Sequence, residues 1–182
     1  MINLPQRKKN RLQNYDYSQC GAYFVTICAK DRANLFGEIV GATVPGRPNT
    51  QYYPNTQYRP NTRYYPNTAQ YCPYVHLNEI GEIINIAILH NNRNGIIIDK
   101  YVIMPNHIHM IVVIETQAGD RGRSPLQTII RNMKAYVTKQ IGFSPWQKSF
   151  HDHIIRNEKD YLRIAKYIEN NPAKWEEDYF YS

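Results

Sequence analysis

The chain has 182 residues, 42% of them hydrophobic, and a formal net charge of +7. That length supports one domain with a real core, and the basic excess points to a polyanionic partner, nucleic acid before anionic membrane, unless the chain is merely basic and soluble. Cys20, Cys28 and Cys72 form no CxxC pair and leave an odd count, and no apolar run is long enough to span a bilayer, so a disulfide scaffold and a membrane-embedded protein are both excluded as expectations and reduced thiols in a cytoplasm are favoured.

Residues 1–18 are polar and basic, and the MINLPQRKKNR start has no apolar stretch that would make a signal peptide. AYFVTICA (22–29) predicts a first strand, being rich in β-branched and aromatic residues. Residues from about 43 to 74 form an insertion of different character. A short unit recurs there as RPNTQY, YPNTQY, RPNTRY and YPNTAQY, with Pro48, Pro54, Pro60 and Pro66 each followed by Asn-Thr. Proline at that spacing blocks both a helix and a central strand, so a disordered or polyproline-like insertion is expected. An arm that stacks nucleobases on its tyrosines, with Arg59 and Arg63 on phosphates, is the alternative.

HLNEIGEIINIAILHNN (76–92) predicts an amphipathic helix with Ile80, Ile83, Ile84, Ala87 and Ile88 as its buried stripe. GIIIDKYVIMP (95–105) and HIHMIVVI (107–114) predict two strands joined tightly at Pro105 and Asn106. SPLQTIIRNMKAYVTKQIG (124–142) predicts a second helix, with Ser124 as N-cap, Pro125 in the first turn and Gly142 at the stop. SFHDHIIR (149–156) predicts a fourth strand, and EKDYLRIAKYIENN (158–171) a last helix ended by Pro172. The order β-α-β-β-α-β-α predicts an α+β fold, an antiparallel ferredoxin-like or RRM-like sheet with helices packed on one face.

The run YVIMPNHIHMIVVI holds the most informative chemistry. A strand sends alternate side chains to opposite faces, so His107 and His109 share one face while Ile108, Met110 and Val112 point to the core. Such a pair can converge on a metal ion, or can be two hydrogen-bonded imidazoles on a half-exposed strand. His151 and His153 have the same spacing on a more polar strand and make a weaker metal pair, though one of them could touch DNA or support a ligand. In the last helix Tyr161, Ile164, Ala165 and Ile168 make the core stripe, so Tyr161 reads as packing. Tyr167 lies at the stripe's edge with Asn171 one turn further on.

The segments RLQNYDYSQCGAYFVTICAKDR, MPNHIHMIVVI, LQTIIRNMKAYVTKQI and WQKSFHDHIIRNEKDYLRIAKYIENNPAKWEED together resemble the REP-associated tyrosine transposases, single-tyrosine members of the HUH transposases. The resemblance covers nearly the whole chain outside the PNT repeats. It implies a single-stranded DNA endonuclease and strand transferase, acting on hairpins of palindromic repeats through a 5′-phosphotyrosine. It implies Tyr167 as the catalytic nucleophile, and His107, His109 and Asn171 as ligands of a divalent metal, Mg²⁺ or Mn²⁺. It further implies a bacterial cytoplasmic, nucleoid-associated protein, in some relatives a homodimer. Lys134, Arg156, Arg131 and Lys166 are the candidate DNA contacts beside the motifs, with the basic N-terminal arm. Where relatives carry a small residue after the HIH motif this chain has Met110; it points to the core, so repacking without loss of chemistry is expected. A repeat-DNA-binding protein that has lost catalysis is the main alternative, and an RNA-binding sheet is a second. The paired histidines argue against the latter.

Overall fold

The computed structural model describes residues 19–41, 73–92, 95–115 and 124–178. The PNT repeats and the basic N-terminal arm lie outside the described residues. The described elements are β1 (Gly21–Cys28), β2 (Gly37–Val40), β3 (Tyr74–Leu77), α1 (Glu79–Leu89), β4 (Ile96–Ile103), β5 (His107–Ile114), α2 (Pro125–Ile141), β6 (His151–Ile155) and α3 (Glu158–Asn170). Short 3₁₀ turns follow β1 at Lys30–Arg32 and α3 at Pro172–Glu177. Among the described residues no helix is long and apolar enough to cross a membrane.

Four strands form one antiparallel sheet in the order β4-β5-β1-β6, which is the ferredoxin-like arrangement of the α+β class. The apolar run of β5 predicts a central strand, and β5 is central: it pairs with β1 from Gly21↔Ile114 to Cys28↔His107 and with β4 on its other side. The order places Thr26 directly opposite His109. β2 and β3 form a separate two-stranded sheet that the sequence reading did not anticipate.

Strand alternation divides the sheet into two unequal faces. Tyr23, Val25 and Ile27 of β1 and Ile108, Met110, Val112 and Ile114 of β5 point to one side, all buried. There they meet Ile84, Ala87 and Ile88 of α1 and Leu126, Ile129, Ile130, Met133 and Val137 of α2 in one cluster. Each such side chain contributes about 1.5–3 kcal/mol by leaving water, so this layer carries most of the stability. Met110 is fully buried in it. The opposite face holds a small cluster in which Ile164, Ala165 and Ile168 of α3 pack on Ile111, Phe24, Val102, Val113 and Ile155. The helices therefore cover both faces, two on one side and α3 on the other, where the sequence reading expected one helical face. An apolar stripe shows that a helix is packed but carries no information on which side of the sheet receives it.

Local signals match the ends of the elements. Ser124 accepts from Gln127 N at 3.2 Å with Pro125 in the first turn, and Gly142 stops α2 in the left-handed conformation at φ 82°. Asn157 caps α3 by accepting from Asp160 N at 2.9 Å. Asn78 caps α1, accepting from Gly81 N at 3.0 Å. The first turn of α1 lies so close to β2 that a Cβ on Gly81 would fall 2.1 Å from the Phe36 carbonyl, so only glycine fits.

The PNT insertion leaves and re-enters the domain through the β2–β3 pair, where Val40 stands opposite Tyr74. Its two ends are thus held together by described structure whatever lies between them. Deleting residues 47–71 is expected to leave the circular dichroism spectrum of the folded domain unchanged and to shift stability by no more than about 1 kcal/mol, since loop-closure entropy varies slowly with length. Loss of the cooperative thermal transition in that deletion would place the repeats in the core.

Candidate active site

The site is built on β5 and closed by α3 and the turn that follows it. His107 and His109 are 0% and 1% exposed, on the face opposite the large core. Their ring centroids are 4.4 Å apart. Cross-strand and turn neighbours orient both rings. Asn106 Nδ2 donates to the Arg32 carbonyl at 3.2 Å, which leaves Asn106 Oδ1 facing His107 Nδ1 at 2.9 Å. An amide oxygen only accepts, so His107 donates from Nδ1 and carries its lone pair on Nε2. Thr26 Oγ1 lies 2.9 Å from His109 Nδ1 and holds the second ring in place. The turn that offers the Arg32 carbonyl holds Asp31 and Arg32 both at φ 56°, a left-handed conformation that costs non-glycine residues on the order of 1 kcal/mol or more.

Burial keeps both imidazoles neutral. Desolvation pulls His107 down to about 4, opposed by the Asp178 carboxylate. Desolvation also holds His109 well below its usual value, with His107 adding to the effect. A neutral imidazole with its tautomer fixed is the form that binds a metal ion.

Tyr167 reaches this pair from the edge of α3. Its hydroxyl lies 3.2 Å from His109 Nε2 and 3.2 Å from Asp178 Oδ2. The phenol donates to the carboxylate, and the three groups meet at a common point. Burial and the Asp178 carboxylate push the phenol up to about 12. The residue is nevertheless 41% exposed, so its ring is open to a substrate on one side. Phe24 meets it edge to face at 6.1 Å between centroids.

Asn171, one turn beyond Tyr167, is 1% exposed and donates from Nδ2 to Asp178 Oδ2 at 2.7 Å. A carboxylate cannot donate, so that bond fixes the amide orientation and leaves Oδ1 buried with no hydrogen-bond partner among the described residues. A buried amide oxygen without a donor is costly, and a cation would satisfy it. The ligand atoms of His107, His109 and Asp178 also lie within 4.8 Å of one another. Two imidazole nitrogens, a carboxylate and an orphaned amide oxygen make a donor set that fits a divalent cation. All of them, and Tyr167, belong to one chain.

Asp178 was not among the residues the sequence singled out. Pro172 ends α3, and the turn after it folds back so that Trp175 stacks on His107 at 5.9 Å between centroids and Asp178 enters the site. The only sequence signal was the helix-stopping NNP, since an acidic EED run ordinarily reads as a solvated surface.

The candidate DNA contacts separate. Lys166 is exposed on α3, beside a cavity of about 500 Å³ that it shares with Arg163, Tyr167, Asn170, Lys174 and Asp178. Arg156 is exposed just after β6. Arg131 is exposed on α2, the helix that packs on the face away from the histidines. Lys134 is turned inward: its ammonium donates to the carbonyls of Gln147 and Ser149 at 2.9 Å each, over the Trp146 ring, and burial pulls it down to about 8. Its ammonium pins the loop before β6. His151 and His153 lie on the histidine face but apart from the metal-capable group; both are exposed, and His153 bonds Asp160 at 2.8 Å. Tyr161, read as packing, also donates its hydroxyl to Asp99.

No protein-family model matches the chain. A protein of Haemophilus influenzae with no assigned function is 33% identical over 201 aligned residues, covering 96% of this chain and 93% of that protein. A REP-associated tyrosine transposase of Escherichia coli is 33% identical over 78 residues, 42% of this chain and 44% of that protein. The solved structure of a REP-associated tyrosine transposase bound to a REP hairpin shares the fold, at a TM-score of 0.53 and 23% identity, over 91% of this chain and 74% of that one.

Replacing Lys134 with alanine is expected to lower the unfolding free energy by about 1–3 kcal/mol, because the carbonyls of Gln147 and Ser149 lose a charged donor. Affinity for single-stranded DNA should stay within twofold of wild type. A large loss of affinity with unchanged stability, read by filter binding and urea titration, would return Lys134 to the DNA surface.

Proposed function

We propose that the chain is a tyrosine transposase like the REP-associated proteins it resembles, that it nicks single-stranded DNA at hairpins and transfers the cut strand, and that it uses Tyr167 as nucleophile and a divalent cation, Mg²⁺ or Mn²⁺. The transposase character rests on those relatives. The metal and the tyrosine are the finer reading, and one observation carries them: the Tyr167 hydroxyl stands 3.2 Å from an imidazole of the buried histidine pair. The hairpin is taken from the hairpin-bound structural neighbour.

The proposed reaction is a transesterification. The Tyr167 oxygen attacks a backbone phosphorus, and the bond from that phosphorus to the 3′-oxygen breaks. A 5′-phosphotyrosine forms and the 3′-oxygen leaves with a proton as a hydroxyl. A 3′-hydroxyl of the same or another strand reverses the step, so the phosphodiester energy is kept and no nucleotide cofactor is required.

His107, His109 and Asn171 are the residues that would hold the cation. When bound, it supplies charge stabilisation at the phosphate oxygens, worth several kcal/mol in such sites. Imidazole donors favour Mn²⁺ over Mg²⁺ in affinity. Asp178 Oδ2 lies where it can accept the phenol proton as the tyrosine attacks. That acceptor matters because burial and the same carboxylate hold the phenol at about 12, far from self-ionising at neutral pH. Asn106 keeps His107 in its ligand tautomer, and Thr26 holds the His109 ring in position. Lys166 and Lys174 border the cavity beside the tyrosine and suit the phosphates of an incoming strand.

The test is a denaturing gel after incubation with a labelled hairpin oligonucleotide and Mn²⁺. Wild type is expected to give a protein–DNA adduct that is absent in Tyr167→Phe. His107→Ala should lose the adduct and at least tenfold in Mn²⁺ affinity by calorimetry, yet keep hairpin binding. Asp178→Asn should slow adduct formation by about 10²-fold or more, as removal of a general base does. Tight hairpin binding with neither adduct nor nicking would favour a protein that only holds repeats.

A further inference from the structure

Asp31 and Arg32 are not glycines, yet both stand at φ 56°, the left-handed region that a Cβ disfavours. Such backbone persists only where its surroundings over-determine it. Two neighbours do so here. On one side the loop before β6 grips the end of β1. Lys30 N donates to the Pro145 carbonyl at 2.7 Å, Gln147 N donates to the Cys28 carbonyl at 3.0 Å, and Ala29 bridges to Trp146. That loop is itself fixed, by Trp146 Nε1 on the Lys134 carbonyl at 3.1 Å and by the Lys134 ammonium on Gln147 and Ser149. On the other side lies the turn that starts β5. Ala29 N donates to the Asn106 carbonyl at 2.8 Å and Phe36 N to the Pro105 carbonyl at 2.9 Å. The stretch 29–36 is thus tied at both ends, and the chain between doubles back: Arg32 N reaches the Ala29 carbonyl and Ala33 N the Lys30 carbonyl, at 3.2 Å each. The left-handed pair makes that reversal and turns the Arg32 carbonyl onto Asn106 Nδ2.

Resting on the metal site proposed above, we propose that this turn is a positioning device for His107, with the backbone carbonyl of Arg32 as its working group and Asn106 as the relay. An unanchored amide can present either its oxygen or its NH₂ to an imidazole. The Arg32 carbonyl only accepts, so it claims the NH₂ of Asn106 and leaves Oδ1 for the ring. His107 then donates from Nδ1 and keeps its lone pair on Nε2, the form a cation requires. With the carbonyl displaced, the amide is free to turn over and the ring loses its preference. The role falls on the backbone of residue 32. It depends on whether that residue tolerates the left-handed conformation, and not on its charge.

The experiment reads the His107 ring in metal-free protein by long-range proton–nitrogen correlation, and Mn²⁺ affinity by calorimetry. Wild type is expected to show His107 as the Nδ1–H tautomer. Arg32→Gly, Arg32→Ala and Arg32→Val remove the same guanidinium but differ in their tolerance of positive φ: good for glycine, poor for alanine, worst for the β-branched valine. Arg32→Gly should keep the tautomer and bind Mn²⁺ within about twofold of wild type. Arg32→Val should show mixed tautomers and bind about tenfold more weakly or worse, as loss of a partner behind a metal ligand does, with Arg32→Ala between them. Asn106→Ala should match the valine variant. The turn lies at the surface, with Asp31, Ala33 and Asn34 exposed, so the glycine and alanine variants should melt within a few degrees of the parent, and they carry the comparison if the valine variant does not fold. Equal behaviour of the Arg32 variants, or an Nε2–H tautomer in wild type, overturns the proposal. A graded tautomer in a protein that binds no Mn²⁺ would sink the metal reading and keep the turn's hold on His107. Mn²⁺ binding and a DNA adduct, with no dependence on the residue at position 32, would do the reverse.

Discussion

Two imidazoles buried side by side at the centre of a sheet constrain everything around them. Desolvation denies them charge, and their ring nitrogens must still find partners in a place water does not reach. The chain answers with short, directional contacts. Thr26 comes from the neighbouring strand, and Asn106 from the turn that begins β5 and is itself tied to the Arg32 carbonyl. These fix the rings before anything else arrives. In the proposed metal site, ligands prepared in this way would lose little entropy on binding, which is the physical content of a preorganised site.

The unequal faces of the sheet divide stability from chemistry. The large apolar layer under α1 and α2 holds the strands in register, and Ile108, Met110 and Val112 lock β5 into it. With that side fixed, the alternate residues of the same strand have no choice of face. The histidines are thus positioned by the burial of their neighbours. α3 covers the other side through Ile164, Ala165 and Ile168, with Tyr161 packed beside them. So narrow a seat leaves the helix edge open, and Tyr167 stands on that edge with its hydroxyl inside the site and part of its ring outside. The nucleophile role proposed for Tyr167 requires a side chain both held and reachable, and a shallowly seated helix provides that.

Charge is arranged with the same economy. The chain is basic overall, but the site itself brings Asp178 against a phenol and two neutral imidazoles. The carboxylate raises the cost of the tyrosinate, and a bound cation would reverse the balance by neutralising it. Of the four basic residues expected to touch DNA, Lys166 adjoins Tyr167, Arg156 is exposed after β6, Arg131 projects from the opposite layer, and Lys134 is spent on backbone carbonyls.

Local patterns in the sequence determined the four strands of the main sheet and the three helices, the caps at Ser124 and Gly142, the common face of His107 and His109, and the stacking of Asn171 one turn from Tyr167. Each depends on periodicity over a few residues, which backbone geometry makes legible without knowledge of the fold. The tertiary structure decided what periodicity cannot express. It placed α3 on the histidine face, so that Tyr167 meets His109 across 58 residues of sequence. It folded the segment after Pro172 back to deliver Trp175 and Asp178, turned Lys134 inward, and joined His153 to Arg163 through Asp160. A charged side chain looks the same in a sequence whether it ends in water or in a site. Only the path of the chain beyond its own turn settles which.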